Sequence, residues 1–127
     1  MAFHLKMEKT TSTPYVLLDE EKKYMKLEGR SFHDGVMEFF EPINNWLESY
    51  LCTDFGTFVF DCGMDYFNSS TIKALFVIIT KMDRASVGDN KVIVNWITTS
   101  DNEIIIECGE DFSEDVCNLE FNLVISE

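Results

Sequence analysis

Asn68-Ser69-Ser70-Thr71 sets three hydroxyl side chains in a row behind a carboxamide, and this stretch carries the chain's best-defined chemistry. It joins a strand-like run, Thr57-Phe58-Val59-Phe60-Asp61, to a segment in which Ile72, Leu75, Phe76, Ile79 and Met82 recur at helical spacing. Asn68 or Ser69 therefore falls at a helix N-cap, where a short polar side chain accepts from unpaired backbone N–H groups. The same N–H groups, with the positive end of the helix dipole, suit a phosphate. One cap needs one acceptor, so three hydroxyls leave some free to act as phosphoacceptors. Lys73, one turn further on, supplies a counter-charge. Tyr66 and Phe67 precede the tract, and strand alternation exposes only one of the two.

Other chemistry has little to work with. A serine hydrolase would need a base near Ser69 or Ser70, and the histidines are His4 and His33 alone. There is no G-x-S-x-G elbow and no phosphate-binding G-x-x-x-x-G-K-[ST] loop. Cys52, Cys62, Cys108 and Cys117 lack C-x-x-C spacing and nearby histidines, which excludes a zinc site of the usual kind. Cys52 and Cys62 fall in or beside apolar segments and read as buried free thiols. No catalytic residue, metal ligand or cofactor is expected.

The elements that must position this tract alternate along the chain. Residues 1–13 read as a loosely ordered arm. Tyr15-Val16-Leu17-Leu18-Asp19 and Tyr24-Met25-Lys26-Leu27-Glu28-Gly29 form a hairpin around a charged turn. Asp34 caps a helix to about Leu51, with Val36, Phe39, Phe40, Ile43, Trp46, Leu47 and Tyr50 on its apolar face. Pro42 must bend or break that helix, or restart it. A strand over 58–62 and a helix over 70–85 follow, then turn residues 87–90 and the strand Lys91-Val92-Ile93-Val94-Asn95-Trp96-Ile97. Asp101 or Asn102 caps a helix through Ile104, Ile105, Cys108 and Phe112, although the β-branched 104–106 run also suits a strand. Leu119–Ile125 closes with period-2 alternation. Helices separating strands of this length imply an α/β domain over 1–127, with a mixed, mostly parallel sheet and helices packed mainly on one face.

Composition sets the outer bounds. A chain of 127 residues, 46% hydrophobic, is long enough for one domain with a substantial core. No run approaches the length of a membrane span, and the N-terminus lacks a signal-peptide pattern, so direct membrane insertion is not expected and a cytoplasmic location is. A formal charge of −13 argues against nucleic acid and anionic membrane surfaces as partners. Glu38, Glu41 and Glu48 read as a solvated helix face, and His33 beside Asp34 as a surface residue. Trp46 and Trp96 read as core or core edge.

The element order, with an Asn-Ser-Ser tract at the mouth of a strand–helix turn, is similar to the STAS fold of anti-sigma-factor antagonists such as SpoIIAA. In those proteins a serine at this helix start is phosphorylated by a partner kinase and dephosphorylated by a PP2C-type phosphatase. The glycine that usually follows the serine pair is replaced here by Thr71. The chain more closely resembles a narrower group, the SiaC (DUF1987) family of regulatory phosphoproteins. Ser12-Thr13-Pro14, Leu27-Glu28-Gly29-Arg30-Ser31, Asn45-Trp46-Leu47-Glu48 and Tyr66 through Leu75 carry that resemblance. Asn95-Trp96 and Glu110-Asp111-Phe112-Ser113-Glu114-Asp115 extend it.

The resemblance implies a partner-switching protein without enzymatic activity. Its unphosphorylated form would bind and activate a GGDEF-type diguanylate cyclase. A Ser/Thr kinase of the anti-sigma-factor type and a PP2C-like phosphatase would set its state. It places the phosphoacceptor directly after the motif asparagine, at Ser69, where the family pattern has Thr. The SpoIIAA alignment points to Ser70, and Thr71 ranks behind both. Tyr66, Asn68, Ser69, Ser70 and Lys73 would form the partner-binding surface. An anti-sigma-factor antagonist or another STAS-like binding module, for a small ligand or nucleotide, is the alternative.

Overall fold

The computed structural model describes residues 2–127; Met1 lies outside the described residues. Six strands and three helices follow in the order β1 (His4–Met7), β2 (Tyr15–Asp19), β3 (Tyr24–Ser31), α1 (Val36–Tyr50), β4 (Thr57–Phe67), α2 (Ser69–Ala85), β5 (Lys91–Thr99), α3 (Glu103–Asp115) and β6 (Glu120–Ser126). The strands lie in one sheet in chain order, antiparallel from β1 to β3 and parallel from β3 to β6. Each of the three parallel crossovers steps the same way along the sheet. Right-handed connections therefore put all three helices on one face. The strand residues on that face are almost wholly buried, including Val16, Leu18, Met25, Leu27, Phe58, Phe60, Cys62, Val94 and Trp96. The other face carries a polar ladder instead. The Tyr24 hydroxyl donates to Asp61 at 2.7 Å, Asn95 donates to the same carboxylate at 2.8 Å, and Asn122 donates to Asn95 at 3.0 Å. The expected mixed, mostly parallel α/β sheet with one helical layer is the observed architecture.

Several local expectations are corrected. The arm over 1–13 contains β1, whose Leu5 and Met7 lie opposite Leu18 and Val16 on the core side while His4 and Lys6 face outward. That alternation was present in the sequence but is only four residues long. Phe3 stacks on Trp46 at 5.7 Å, and the Trp46 indole donates to Glu20 at 2.9 Å, which ties the start of the chain down. Gly35, not Asp34, occupies the N-cap of α1, with φ +78° and no side-chain cap. Pro42 sits inside an unbroken α1 on its exposed side, so the carbonyl that lacks an N–H partner faces water. Cys52 is exposed rather than buried, in the turn after α1, whereas Cys62 is buried. His33 is half-buried, its ring edge-on to Phe39 and its Nδ1 3.2 Å from the Ser12 carbonyl. The 104–106 run is helical, with Ile105 buried beneath α3.

Asp83 fastens the end of α2 to the loop before β6. Its carboxylate accepts backbone N–H bonds from Asn118 (2.7 Å), Leu119 (2.9 Å) and Cys117 (3.1 Å). Desolvation raises its pKa, but the bonds from Leu119, Asn118 and Cys117 outweigh that and hold it below the ordinary aspartate value. A lowered folded-state pKa means a stabilisation fully present above the unfolded value and lost as pH falls through the folded one. Thermal unfolding followed between about pH 6 and pH 2 should show wild type losing stability on acidification. Asp83→Asn, which keeps the acceptor oxygen and removes the charge, should be less stable near neutrality and converge on wild type at the acid end. A constant gap between the two curves would refute a role for the charge.

Candidate functional site

The strand leading to the tract is longer than its sequence suggested and contains an irregularity that shapes the site. Between β3 and β4 the register runs Gly29 opposite Met64 and then Arg30 opposite Tyr66, so Asp65 is an extra, unopposed residue. This is a β-bulge, and Gly29, at φ +111°, supplies the backbone freedom beside it. Up to Met64 the even-numbered residues of β4 face the core. After the bulge the phase reverses: Phe67 turns in, at 6% exposure, and Tyr66 turns out, at 47%. One of the two aromatics is exposed, as alternation required, and the bulge decides which.

The start of α2 is locked from below. Asn68 is the N-cap, and its side-chain oxygen accepts from the Thr71 N–H and the Thr71 hydroxyl, both at 3.0 Å. The Thr71 hydroxyl also lies 3.2 Å from the Ser31 carbonyl and 2.7 Å from the Ser31 hydroxyl. Ser31 and Thr71 are both fully buried. The Asn68 N–H closes the junction by donating to the Ser31 carbonyl at 3.1 Å. The three hydroxyls therefore divide by role. Thr71 is structural and inaccessible. Ser69 and Ser70 are exposed, and their side chains make no hydrogen bond among the described residues.

The cap is testable by itself. Asn68→Ala removes the acceptor for the Thr71 N–H and should destabilise the domain by about 1–2 kcal/mol in urea unfolding, whereas Asn68→Asp should stay close to wild type. Equal stability of all three would mean that the cap contributes nothing.

Around the two free serines the surface mixes aromatic, cationic and aliphatic groups. Tyr66 meets Phe32 edge-on at 5.8 Å. The Arg30 guanidinium lies 5.1 Å from the Phe32 ring centre and 5.6 Å from that of Tyr66. Lys73 is exposed on the next turn of α2 and forms no ion pair among the described residues. Arg30 forms none either. Ile72, Phe76 and Val77 continue along α2 as exposed apolar side chains. They border a cleft toward α3 that Cys108, Asp111, Phe112 and Asp115 also line. The candidates Tyr66, Asn68, Ser69, Ser70 and Lys73 thus cluster at one end of α2. Asn68 acts there as the cap beneath the surface, not as an exposed contact.

Sequence reasoning missed Arg30 and Phe32. The sequence pattern ends this strand at Gly29, whereas β3 runs to Ser31 and delivers Arg30 beside Tyr66. The alternation Leu27, Gly29, Ser31 inward and Glu28, Arg30 outward was the available signal. Among the described residues no group of His, Cys, Asp and Glu could hold a metal ion, and no helix is long and apolar enough to cross a membrane.

Comparison with known proteins places this geometry. A family model described as SiaC family regulatory phosphoprotein matches residues 7–126. A protein of Pseudomonas aeruginosa strain UCBPP-PA14, described as uncharacterized, is 30% identical over 112 residues, covering 88% of each chain. The crystal structure of apo-SiaC from Pseudomonas aeruginosa superimposes with a TM-score of 0.82 at 25% identity, covering 98% of this chain and 99% of that one. A chain from the Pseudomonas aeruginosa complex of the diguanylate cyclase SiaD with its activator SiaC gives 0.87 at 27% identity, over 97% of this chain and 99% of that one. The role these relatives define is regulatory rather than catalytic. With the family model spanning nearly its whole length, the chain belongs to the SiaC family of regulatory phosphoproteins.

Proposed function

We propose that this protein is a phosphorylation-controlled activator. Its unphosphorylated form binds and activates a GGDEF-type diguanylate cyclase, in the cytoplasm, and phosphorylation on Ser69 releases it. Ser70 is the second choice of acceptor. A Ser/Thr kinase of the anti-sigma-factor type adds the phosphate and a PP2C-like phosphatase removes it. One observation carries this reading: two exposed, uncommitted serine hydroxyls stand at a helix start whose capping is done entirely by Asn68. The similarity to SiaC, a cyclase activator in the complex with SiaD, supports the choice of partner.

The site suits a phosphate that must not disturb the fold. The unmet N–H groups and dipole of a helix N-terminus favour an added anion by about 0.3–2 kcal/mol. Arg30 and Lys73 lie on the same surface and form no ion pair among the described residues. Modification therefore acts on recognition and leaves the domain folded. Incubation with the cognate kinase and Mg-ATP should add one phosphate, located by peptide mapping on Ser69 or, failing that, Ser70. Phosphate found only on Thr71, whose hydroxyl is buried, or outside 68–71, would overturn the assignment.

A further inference from the structure

The two edges of the sheet are unlike. β1, at one edge, is four residues long and carries His4 and Lys6, with Glu8 and Lys9 directly after it. Short, charged edges of this kind resist pairing with another chain. β6, at the other edge, is seven residues long, pairs with β5 in an unbroken register, and contains no Lys, Pro, Gly or bulge. Of its four exposed residues, Glu120 is paired with Lys91 at 3.1 Å and Ser126 is polar, while Val124 and Ile125 between them are apolar. Val124 is 44% exposed, beside its cross-strand neighbour Ile97 on the open face, and Ile125 is 46% exposed on the helical face. Ile104, in the first turn of α3 at the same end of the sheet, is 74% exposed. Four β-branched aliphatic side chains thus gather at one corner, next to an unpaired strand edge.

Backbone direction along β6 follows from one bond. The Ser126 carbonyl accepts from the Ser100 N–H at 2.8 Å, so Ser126 faces the β5 side. Alternation then turns Glu120, Asn122 and Val124 toward β5, and leaves Phe121, Leu123 and Ile125 with their N–H and C=O groups pointing out of the sheet. We propose that this edge is a homodimer interface, in which β6 pairs antiparallel with β6 of a second copy about a two-fold axis through Leu123.

That register is self-complementary. Leu123 meets its own counterpart, and Phe121 meets Ile125 of the other copy in both directions. All three are hydrogen-bonded pairs, and together they use every outward-facing group. The non-hydrogen-bonded positions place Asn122 against Val124 and Glu120 against Ser126. Glu120 is the strand's only charged residue, so no like charges face each other. The two sheets become continuous, with both helical layers on the same side. The interface does not involve the start of α2, so the assembly stands or falls independently of the cyclase reading. Each copy carries a charge of −13, so pairing should strengthen as salt screens that repulsion.

Sedimentation velocity on the full chain tests this. At about 100 µM, where a micromolar association is saturated, wild type should sediment with twice the 14.7 kDa chain mass, and the dimer fraction should rise with added salt. Ile125→Pro removes an outward N–H, a change that edge strands tolerate, and Val124→Lys installs an edge charge. Both should weaken association at least tenfold while keeping the wild-type circular dichroism spectrum. Val87→Lys, at an exposed turn away from the edge, should remain dimeric. In hydrogen exchange, the Phe121, Leu123 and Ile125 amides should gain protection as protein concentration rises. A monomeric wild type at high salt, a dimer that survives both edge variants, or edge amides protected only when a different protein is added would each overturn the proposal.

Discussion

Phosphorylated on Ser69, the protein should bind its cyclase about 10²–10³-fold more weakly than the unmodified form. The estimate starts from charge. A phosphoryl group brings about −1.5 to −2 charges and three acceptor oxygens. The surface it enters offers Arg30, stacked against Phe32 and Tyr66, and Lys73, one turn along α2; neither has an ion-pair partner among the described residues. On the proposed reading, a partner docked over this surface would meet those cations with acceptors of its own. A phosphate on Ser69 draws them to itself and sets a dianion against the partner's acceptors. A charge left buried without a partner costs about 3–5 kcal/mol, and each 1.4 kcal/mol is tenfold in affinity.

The substitution series separates charge from shape. Ser69→Asp carries about one charge in place of nearly two, so calorimetric titration against the purified cyclase should show a partial loss, roughly ten- to thirtyfold. Ser69→Ala should bind as wild type and remain bound after kinase treatment. Both variants should keep the wild-type circular dichroism spectrum, because Asn68 does the capping and the Ser69 side chain makes no hydrogen bond among the described residues. Arg30→Ala should weaken the unmodified complex and blunt the effect of Ser69→Asp. If Asp binds as tightly as Ser at both 69 and 70, the switch does not lie at this helix start.

Much of this surface is legible in the sequence alone. The helix start, its cap chemistry and the free hydroxyls follow from Asn68-Ser69-Ser70-Thr71 and the apolar period behind it. Two things were not legible, for a shared reason. Which of Tyr66 and Phe67 faces solvent depends on the bulge at Asp65, and a bulge inserts one residue without altering composition or turn signals. Likewise, Thr71 looks equivalent to Ser69 and Ser70 until β3 brings Ser31 beneath it. Both are non-local facts, set by the pairing of β3 with β4 across more than thirty residues of chain. The β1 strand was missed on weaker grounds: four residues of alternation flanked by charge fall below what a pattern can establish alone. At Ile104-Ile105-Ile106 packing overrode propensity. Ile105 is buried and its carbonyl accepts the Trp96 indole N–H at 2.9 Å, so the β-branched run is held as helix by its contact with β5.

Gly109→Ala should destabilise the domain by about 2 kcal/mol, although alanine is the better helix former by about 1 kcal/mol. Gly109 lies in the middle of α3, where α3 crosses β5. A Cβ added there would stand 2.5 Å from Trp96 Cδ1, 2.7 Å from Trp96 Nε1 and 3.0 Å from Leu123 Cδ1. Trp96 has no room to retreat. It is fully buried, its indole N–H is engaged by the Ile105 carbonyl, and its ring is packed by Phe67, Phe112 and Phe121 with centroids 5.4–6.1 Å away. Overpacking a fixed core costs about 1–3 kcal/mol, and loss of the indole bond adds about 1 kcal/mol; together these exceed the propensity gain. Urea unfolding monitored by tryptophan fluorescence gives the answer. Ser113→Ala, on the exposed side of the same helix, is the control and should leave stability unchanged or slightly raised. Propensity and packing predict opposite signs at Gly109. A stabilised Gly109→Ala would show that α3 is free to lift from Trp96, and that the close crossing of α3 over β5 does not hold this end of the helical layer.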